Sequence, residues 1–205
     1  DIPGKVTGQP SYVQDMVLPG MLHGRITRPP GPRAQLKMLD AQEVEQMPGV
    51  VAVVRDGSFL GVVAEREEQA IRAERRLARI AQWMPGPDLP VNDPRHLPTL
   101  VAETEVISEK GDSATAGARQ FGAEYTKPYL AHASLAPSCA IAHWAGGKDG
   151  GKVRIWTHSQ GIFPLRGDIA QVLGMPESDI VITHAEGAGC YGHNAADDVT
   201  LDAVL

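Results

Sequence analysis

A mixed fold of the α+β class follows from three features of the 205-residue chain. Two β-branched runs, "VVAVVRD" and "FLGVVAE", flank an Asp56-Gly57 turn signal and predict a hairpin. Residues 66–82 carry the clearest helical pattern, with Ala70, Leu77, Ala78 and Ala81 in one stripe. In the second half, "KVRIWTH", "LRGDIAQVLG" and "SDIVITHAE" read as strand, helix and strand.

The other elements follow in chain order. "MLHGRITR" alternates and predicts a strand at 21–28, and "AQLKMLD" predicts another at 34–40. Asp40 then stands as an N-cap, with Glu43 at capping-box spacing, and opens a short helix "AQEVEQM" that Pro48-Gly49 ends. The 66–82 helix has Glu65, Glu67 and Glu68 at its start and Arg72, Arg75, Arg76 and Arg79 further along, an order that suits the helix dipole. That basic cluster reads as a solvated face. Residues 84–98 hold five prolines and read as a linker between a first part, 1–83, and a second part, 99–205. In the second part "RQFGAEYTKPY" and "SCAIAHW" predict strands, Gly174 ends the helix, and a last helix begins near Ala195.

Composition narrows the function classes. A hydrophobic fraction of 42% and a charged fraction of 21% fit a globular chain. The net charge of -6 gives no support for nucleic acid as a partner. No apolar run approaches the length of a membrane span. Cys139 and Cys190 form no CxxC pair, which argues against a Cys-rich zinc site and fits two free thiols. The chain opens at Asp1 and stops inside the helix-like "DDVTLDAVL", so an excised piece of a longer protein is expected.

The segment "HAEGAGCYGHNAADD", His184 to Asp198, concentrates the chemistry. Gly187, Gly189 and Gly192 have the spacing of a dinucleotide loop, which uses glycines to bring backbone N–H groups against a pyrophosphate. Asp197 and Asp198 would repel a pyrophosphate there, and only 13 residues follow Gly192, too few for the acidic ribose ligand. A plainer reading is a tight strand-to-helix connection. His184, Cys190 and His193, with Asp197 or Asp198, could ligate a metal, but their spacing matches no motif with a known mechanism.

Longer stretches resemble a known family. "GKVTGQPSYVQDMVLPGMLHGRITRPP" and "MLDAQEVEQMPGVVAVV" resemble the α/β-hammerhead region of the molybdenum-binding subunits of the xanthine dehydrogenase/aldehyde oxidase family. "AEYTKPYLAHASLAPSCAIAHW" resembles the strand that opens the cofactor-binding region. "VRIWTHSQGIFPLRGDIAQVLGMPESDIVITHAEGAGCYGH" resembles its Thr/Ser-Gln segment and glycine-rich loop, and "GCYGHNAADD" is worded most like the isoquinoline 1-oxidoreductase type of subunit.

The resemblance implies a hammerhead domain over 1–83 and the first portion of a molybdopterin-binding domain over 99–205. It implies hydroxylation of N-heterocycles or aldehydes with oxygen from water. The cofactor would be molybdopterin, commonly its cytosine dinucleotide form in bacteria, and electrons would leave through 2Fe-2S clusters on a partner subunit. Gln160 falls at the position whose amide hydrogen-bonds a ligand oxygen of molybdenum. Gly187, Ala188, Gly189, Cys190, Tyr191 and Gly192 form the loop beside the metal and pterin, and Asn194 falls where other members carry a substrate-facing Glu. Ala136 stands where many members have Glu, and Cys190-Tyr191 replaces a common Phe-Gly, which leaves the substrate open. The family's general base, a Glu of the C-terminal half, has no counterpart in these residues. No catalytic residue, bound metal or cofactor is therefore expected in this segment alone. The compartment, bacterial cytoplasm or periplasm, is not specified. The alternative from another class is a stand-alone binding or interaction module that shares the fold.

Overall fold

The computed structural model describes residues 2–89, 93–103, 105–108, 110–111, 119, 121–128, 133–145, 152–192 and 199–205. The chain divides into two compact units, Asp1–Pro87 with His132–Leu205, and Asp88–Ala131.

In the larger unit, a three-stranded antiparallel sheet has the order β1-β4-β3, from β1 (His23–Ile26), β3 (Val50–Asp56) and β4 (Phe59–Ala64). β3 and β4 are the expected hairpin, closed by the pair Asp56–Phe59 with Gly57-Ser58 as the two-residue loop. β4 lies in the centre, and Leu60, Val62 and Ala64 are buried. Helix α3 (Glu67–Ile80) covers the sheet with Ala70, Ala73 and Leu77, all fully buried. Two alanines on that face let the helix approach closely, and Leu77 supplies the volume. Its burial is worth about 1.5–3 kcal/mol. Ala73 takes the place expected of Ala78, which is exposed. One residue is a 100° rotation on a helix, enough to move a small side chain off a narrow stripe.

Before α3, the short helix α2 (Gln42–Glu45) forms as expected. The N-cap is Ala41 and not Asp40, which lies one residue earlier and accepts the Gln42 N–H (3.2 Å) across a turn. Glu43 does not close a capping box. Its carboxylate takes a two-point contact from Arg76 of α3 at 2.9 and 2.5 Å, because a tertiary guanidinium competes better than a backbone N–H. Strand β2 (Gln35–Met38) pairs with β5 (Gln82–Met84), placing Leu36 opposite Trp83. β5 is too short to show alternation, and it runs into the proline-rich stretch. Helix α1 (Ile2–Val6) precedes these elements.

The second sheet has the order β6-β7-β8. β6 (Ala140–Ala145) is antiparallel to β7 (Lys152–Thr157), and β7 is parallel to β8 (Ile180–His184). The crossover is α4 (Ile162–Leu173), which Gly174 ends in a left-handed conformation (φ 64°). Pro164 sits in its first turn, where the missing N–H costs nothing. Val153 and Ile155 alternate inward from β7 and meet Leu165, Ile169 and Ala170 of α4, Ile180 of β8 and Val204 of α5 (Val199–Val204). The sequence pattern starts this last helix near Ala195. Residues 193–198, which include His193, Asn194, Asp197 and Asp198, lie outside the described residues.

The N-terminal segment is tied to the second sheet. Lys5 pairs with Glu186, Arg28 with Asp202, and Gln14 Nε2 donates to the Pro137 carbonyl (3.1 Å).

The smaller unit contains a 3-10 segment, Pro94–Thr99, where Asp93 accepts the Arg95 N–H (3.0 Å) and holds its guanidinium (2.8 Å). The strand expected in "RQFGAEYTKPY" does not form at residues 121–128, all of them exposed. A strand persists only through a neighbour's ladder, and none of the described strands pairs with it. No helix among the described residues is long and apolar enough to cross a membrane.

Candidate functional site

Parallel strands β7 and β8 end side by side, with Thr157 opposite His184. The Ala185 N–H adds one more bond to the Thr157 carbonyl (2.8 Å). Two loops leave this edge together, 158–161 toward α4 and 185–192 toward α5. The carboxyl ends of adjacent parallel strands are where open α/β sheets bind ligands.

The first loop buries two residues and presents a third. His158 and Ser159 are 5% and 0% exposed. The Ser159 N–H donates to Thr157 Oγ1 (3.2 Å), and Ser159 Oγ accepts the Gly161 N–H (3.3 Å). Thr157 Oγ1 also shares a 2.7 Å bond with Thr200 Oγ1 of α5. This buried chain of hydroxyls holds the backbone on both sides of Gln160. The Gln160 side chain is exposed and makes no hydrogen bond among the described residues.

The second loop is held from its flanks. Its Glu186 carbonyl accepts the Val13 N–H (2.7 Å), and the Ala188 carbonyl accepts the Leu135 N–H (3.1 Å). The Gly189 carbonyl accepts from Ser134 Oγ (3.1 Å). Gly187 lies against His158, where an added Cβ would come within 2.6 Å of the His158 Cβ and Cγ. Gly189 has φ +114°, and a Cβ there would come within 2.6 Å of the Tyr191 ring. Close packing and a left-handed backbone thus account for two of the motif's three glycines. Tyr191 is 63% exposed, Gly192 is exposed, and Ala188 and Cys190 are half-buried.

Electrostatically the site is almost uncharged. Its described carboxylate, Glu186, hydrogen-bonds Lys5, which holds the carboxyl below its ordinary range and raises the lysine. Burial pushes the Cys139 thiol up, away from the reactive thiolate. Cys139 and Cys190 are both free thiols. Among the described residues no three His, Cys, Asp or Glu side chains group as a metal site. His193, Asp197 and Asp198 of that candidate set, and the substrate candidate Asn194, lie outside the described residues.

Gln160 and the loop Gly187–Gly192 therefore arise at one sheet edge. Among the described residues they form a wall and not an enclosure. Two shallow grooves of about 230 and 250 Å³ lie elsewhere, one at Phe163, Arg166 and Val181 and one at Leu39, Glu43 and Ile80. Sequence reasoning passed over His158 and Ser159, which hold this wall together, and Ser134-Leu135, which brace the loop. The "HS" immediately before Gln160 was the available signal, since small hydroxyls beside a strand end often fix a turn.

Residues 7–68 match the family model described as aldehyde oxidase and xanthine dehydrogenase, a/b hammerhead domain. Residues 96–205 match the model described as molybdopterin cofactor-binding domain. The chain belongs to the aldehyde oxidase/xanthine dehydrogenase family, as a segment of its molybdopterin-binding subunit. It is 43% identical to a nicotinate dehydrogenase subunit of Pseudomonas putida, over 100% of this chain and 18% of that protein. It is 26% identical to the aldehyde oxidoreductase molybdenum-binding subunit PaoC of Escherichia coli, over 94% of this chain and 30% of that one. Among solved structures, quinoline 2-oxidoreductase from Pseudomonas putida 86 aligns with a TM-score of 0.68 at 17% identity, over 92% of this chain and 29% of that one. Aldehyde oxidoreductase from Desulfovibrio gigas aligns at 0.67 and 20% identity, over 98% of this chain and 28% of that one. These two likenesses concern the fold. The chain spans less than a third of each of these relatives.

Proposed function

We propose that the protein containing this segment is a molybdenum hydroxylase that oxidises an aromatic N-heterocycle with oxygen from water. The observation that carries the reading is the shared origin of the Gln160 turn and the Gly187–Gly192 loop at the ends of β7 and β8. The residues fit the cofactor. Gln160 offers an uncharged amide donor that no described neighbour uses. The loop brings backbone close without a free carboxylate, since Glu186 is paired with Lys5. Molybdopterin, when bound, supplies the two-electron redox chemistry.

The chain's own residues do the positioning. The Gln160 N–H would hold the metal end of the cofactor, and loop residues Gly187, Ala188, Gly189, Cys190, Tyr191 and Gly192 would line its side. Asn194 would face substrate. The matched ranges support a hammerhead over 1–83, a linker over 84–98 and the start of the cofactor-binding domain over 99–205. In this reading the cofactor is the cytosine dinucleotide form, a partner subunit carries 2Fe-2S clusters, and the segment alone is inactive and retains no molybdenum. A buried cofactor needs walls on most sides, and the segment supplies one.

The heterocycle is preferred over the aldehyde because the 43% relative is named for nicotinate and the aldehyde-named one is at 26%. The test is dye reduction by the full-length protein expressed with molybdate, comparing a pyridine carboxylate with an aromatic aldehyde. The heterocycle should lead by about tenfold or more in kcat/KM. An equal or reversed preference removes the heterocycle, and absence of molybdenum removes the class.

A further inference from the structure

We propose that His158 is a positioning residue whose imidazole sets the spacing between the Gln160 turn and the glycine loop. The inference rests on the cofactor reading above and extends it to a residue that touches neither cofactor nor substrate. His158 follows the last residue of β7 and is 5% exposed. Its Nε2 accepts the Cys139 N–H (3.3 Å), one residue before β6 begins. The face of its side chain lies on Gly187, three residues beyond β8. One side chain therefore meets the segments at the ends of all three strands.

The contact with Gly187 is not adjustable by rotation. A Cβ on residue 187 would meet the His158 Cβ as well as its ring, both at 2.6 Å, and the Cβ position is set by the backbone. That backbone is itself pinned, since Thr157 Oγ1 accepts the Ser159 N–H and is bonded to Thr200. Any bulk added at 187 must push the two loops apart. An ordinary core histidine fills volume and needs no glycine opposite. Here the sequence supplies a glycine where the ring lies, and Gln160 is only two residues from the ring.

The test uses full-length protein and three readouts: thermal midpoint, molybdenum per chain, and kcat per bound molybdenum with KM. Gly187→Ala should lower the midpoint and the molybdenum content. Adding His158→Gly, which removes both the ring and its Cβ, should restore most of the midpoint, as coupled contacting residues do. His158→Ala should lower kcat per molybdenum about tenfold while KM stays within about twofold, as expected for loss of a group that orients the reacting centre. His158→Gln keeps an acceptor for the Cys139 N–H and should recover at least half of that loss. Unchanged kcat per molybdenum in His158→Ala, or a double variant no more stable than Gly187→Ala alone, overturns the proposal. Wild-type protein without molybdenum would sink the cofactor reading instead, and the midpoint cycle would still decide the His158–Gly187 pairing. If His158→Ala does not fold, His158→Leu, which fills the volume without an acceptor for the Cys139 N–H, takes its place: kcat per molybdenum below wild type supports positioning, and the wild-type value overturns it.

Discussion

The sheets β1-β4-β3 and β6-β7-β8 have central strands of equal length, six residues each, and bury them in different ways. β4 is covered mainly by apolar packing: Leu60 and Val62 cluster with Ala73 and Leu77 of α3 and Val44 of α2, and Ala64 is buried. β7 begins in the same manner with Val153 and Ile155 but ends in Thr157, tied to Thr200, and runs on into buried His158 and Ser159. Among the described residues these are four of the five buried polar or charged side chains. Burying a polar group costs roughly 1–3 kcal/mol unless it is hydrogen-bonded, so such a cluster persists where its geometry is used. The first sheet is a scaffold that tolerates repacking, while the second spends its inner end on fixing two loops.

Mutations in the two regions should therefore separate stability from turnover. The largest effect is expected in the scaffold. Leu77→Ala should destabilise the full-length protein by about 2–5 kcal/mol in chemical denaturation, with turnover per bound molybdenum unchanged. Loss of turnover without loss of stability would erase the distinction between the sheets. Next, Gln160→Ala should leave stability and molybdenum content near wild type and lower turnover by about 10²–10³-fold, equivalent to about 2.7–4 kcal/mol for one preorganised donor. Full activity in a molybdenum-loaded variant would take Gln160 out of the site.

A smaller effect tests the hydroxyl chain. Thr157→Val should cost about 1–3 kcal/mol of stability, because the Thr200 hydroxyl and the Ser159 N–H lose a buried partner. The double variant with Thr200→Val should cost less than the sum of the two single changes. Strict additivity, measured by thermal denaturation, would mean the two hydroxyls are not coupled.

The smallest effect concerns Lys5–Glu186, which ties the N-terminal segment to the loop. Glu186 has its folded pKa lowered by the hydrogen bond and charge of Lys5, so its contribution exists above the unfolded value near 4.5 and is lost as pH falls through the lower folded value. Lys5 is raised by the same bond, so its contribution is full below 10.5 and is lost as pH rises through the higher folded value. Lys5→Ala should lower the thermal midpoint slightly at about pH 7 and by less at about pH 3. Because both groups are solvated, the difference should shrink in about 1 M salt. A difference undiminished by both acid and salt would point to packing by the lysine stem instead of charge.

Legibility in the sequence followed the range of the interactions. The β3–β4 hairpin, α3, α4 and the β7–α4–β8 order are written in local periodicity and turn residues, so they were readable from the chain. α2 was readable from Asp40, but the partner of Glu43 was not, since Arg76 is 33 residues away. Likewise β5 exists only because β2 lies beside it, and the stretch around Phe121 and Tyr125 has no partner among the described strands.

The candidate site divides the same way. The family and the position of the glycine loop were determined by the sequence, because motif residues and their order survive without coordinates. Only tertiary structure decided why Gly187 is a glycine, since its reason is a histidine 29 residues earlier brought alongside by the parallel pairing of β7 and β8. It also decided that Ser159 and Thr157 face inward while Gln160 faces out. Sequence periodicity specifies which face of an element is apolar. Which polar groups meet is set by the packing of elements distant along the chain, where a hydrogen bond forms only if donor and acceptor arrive within about 3 Å of each other.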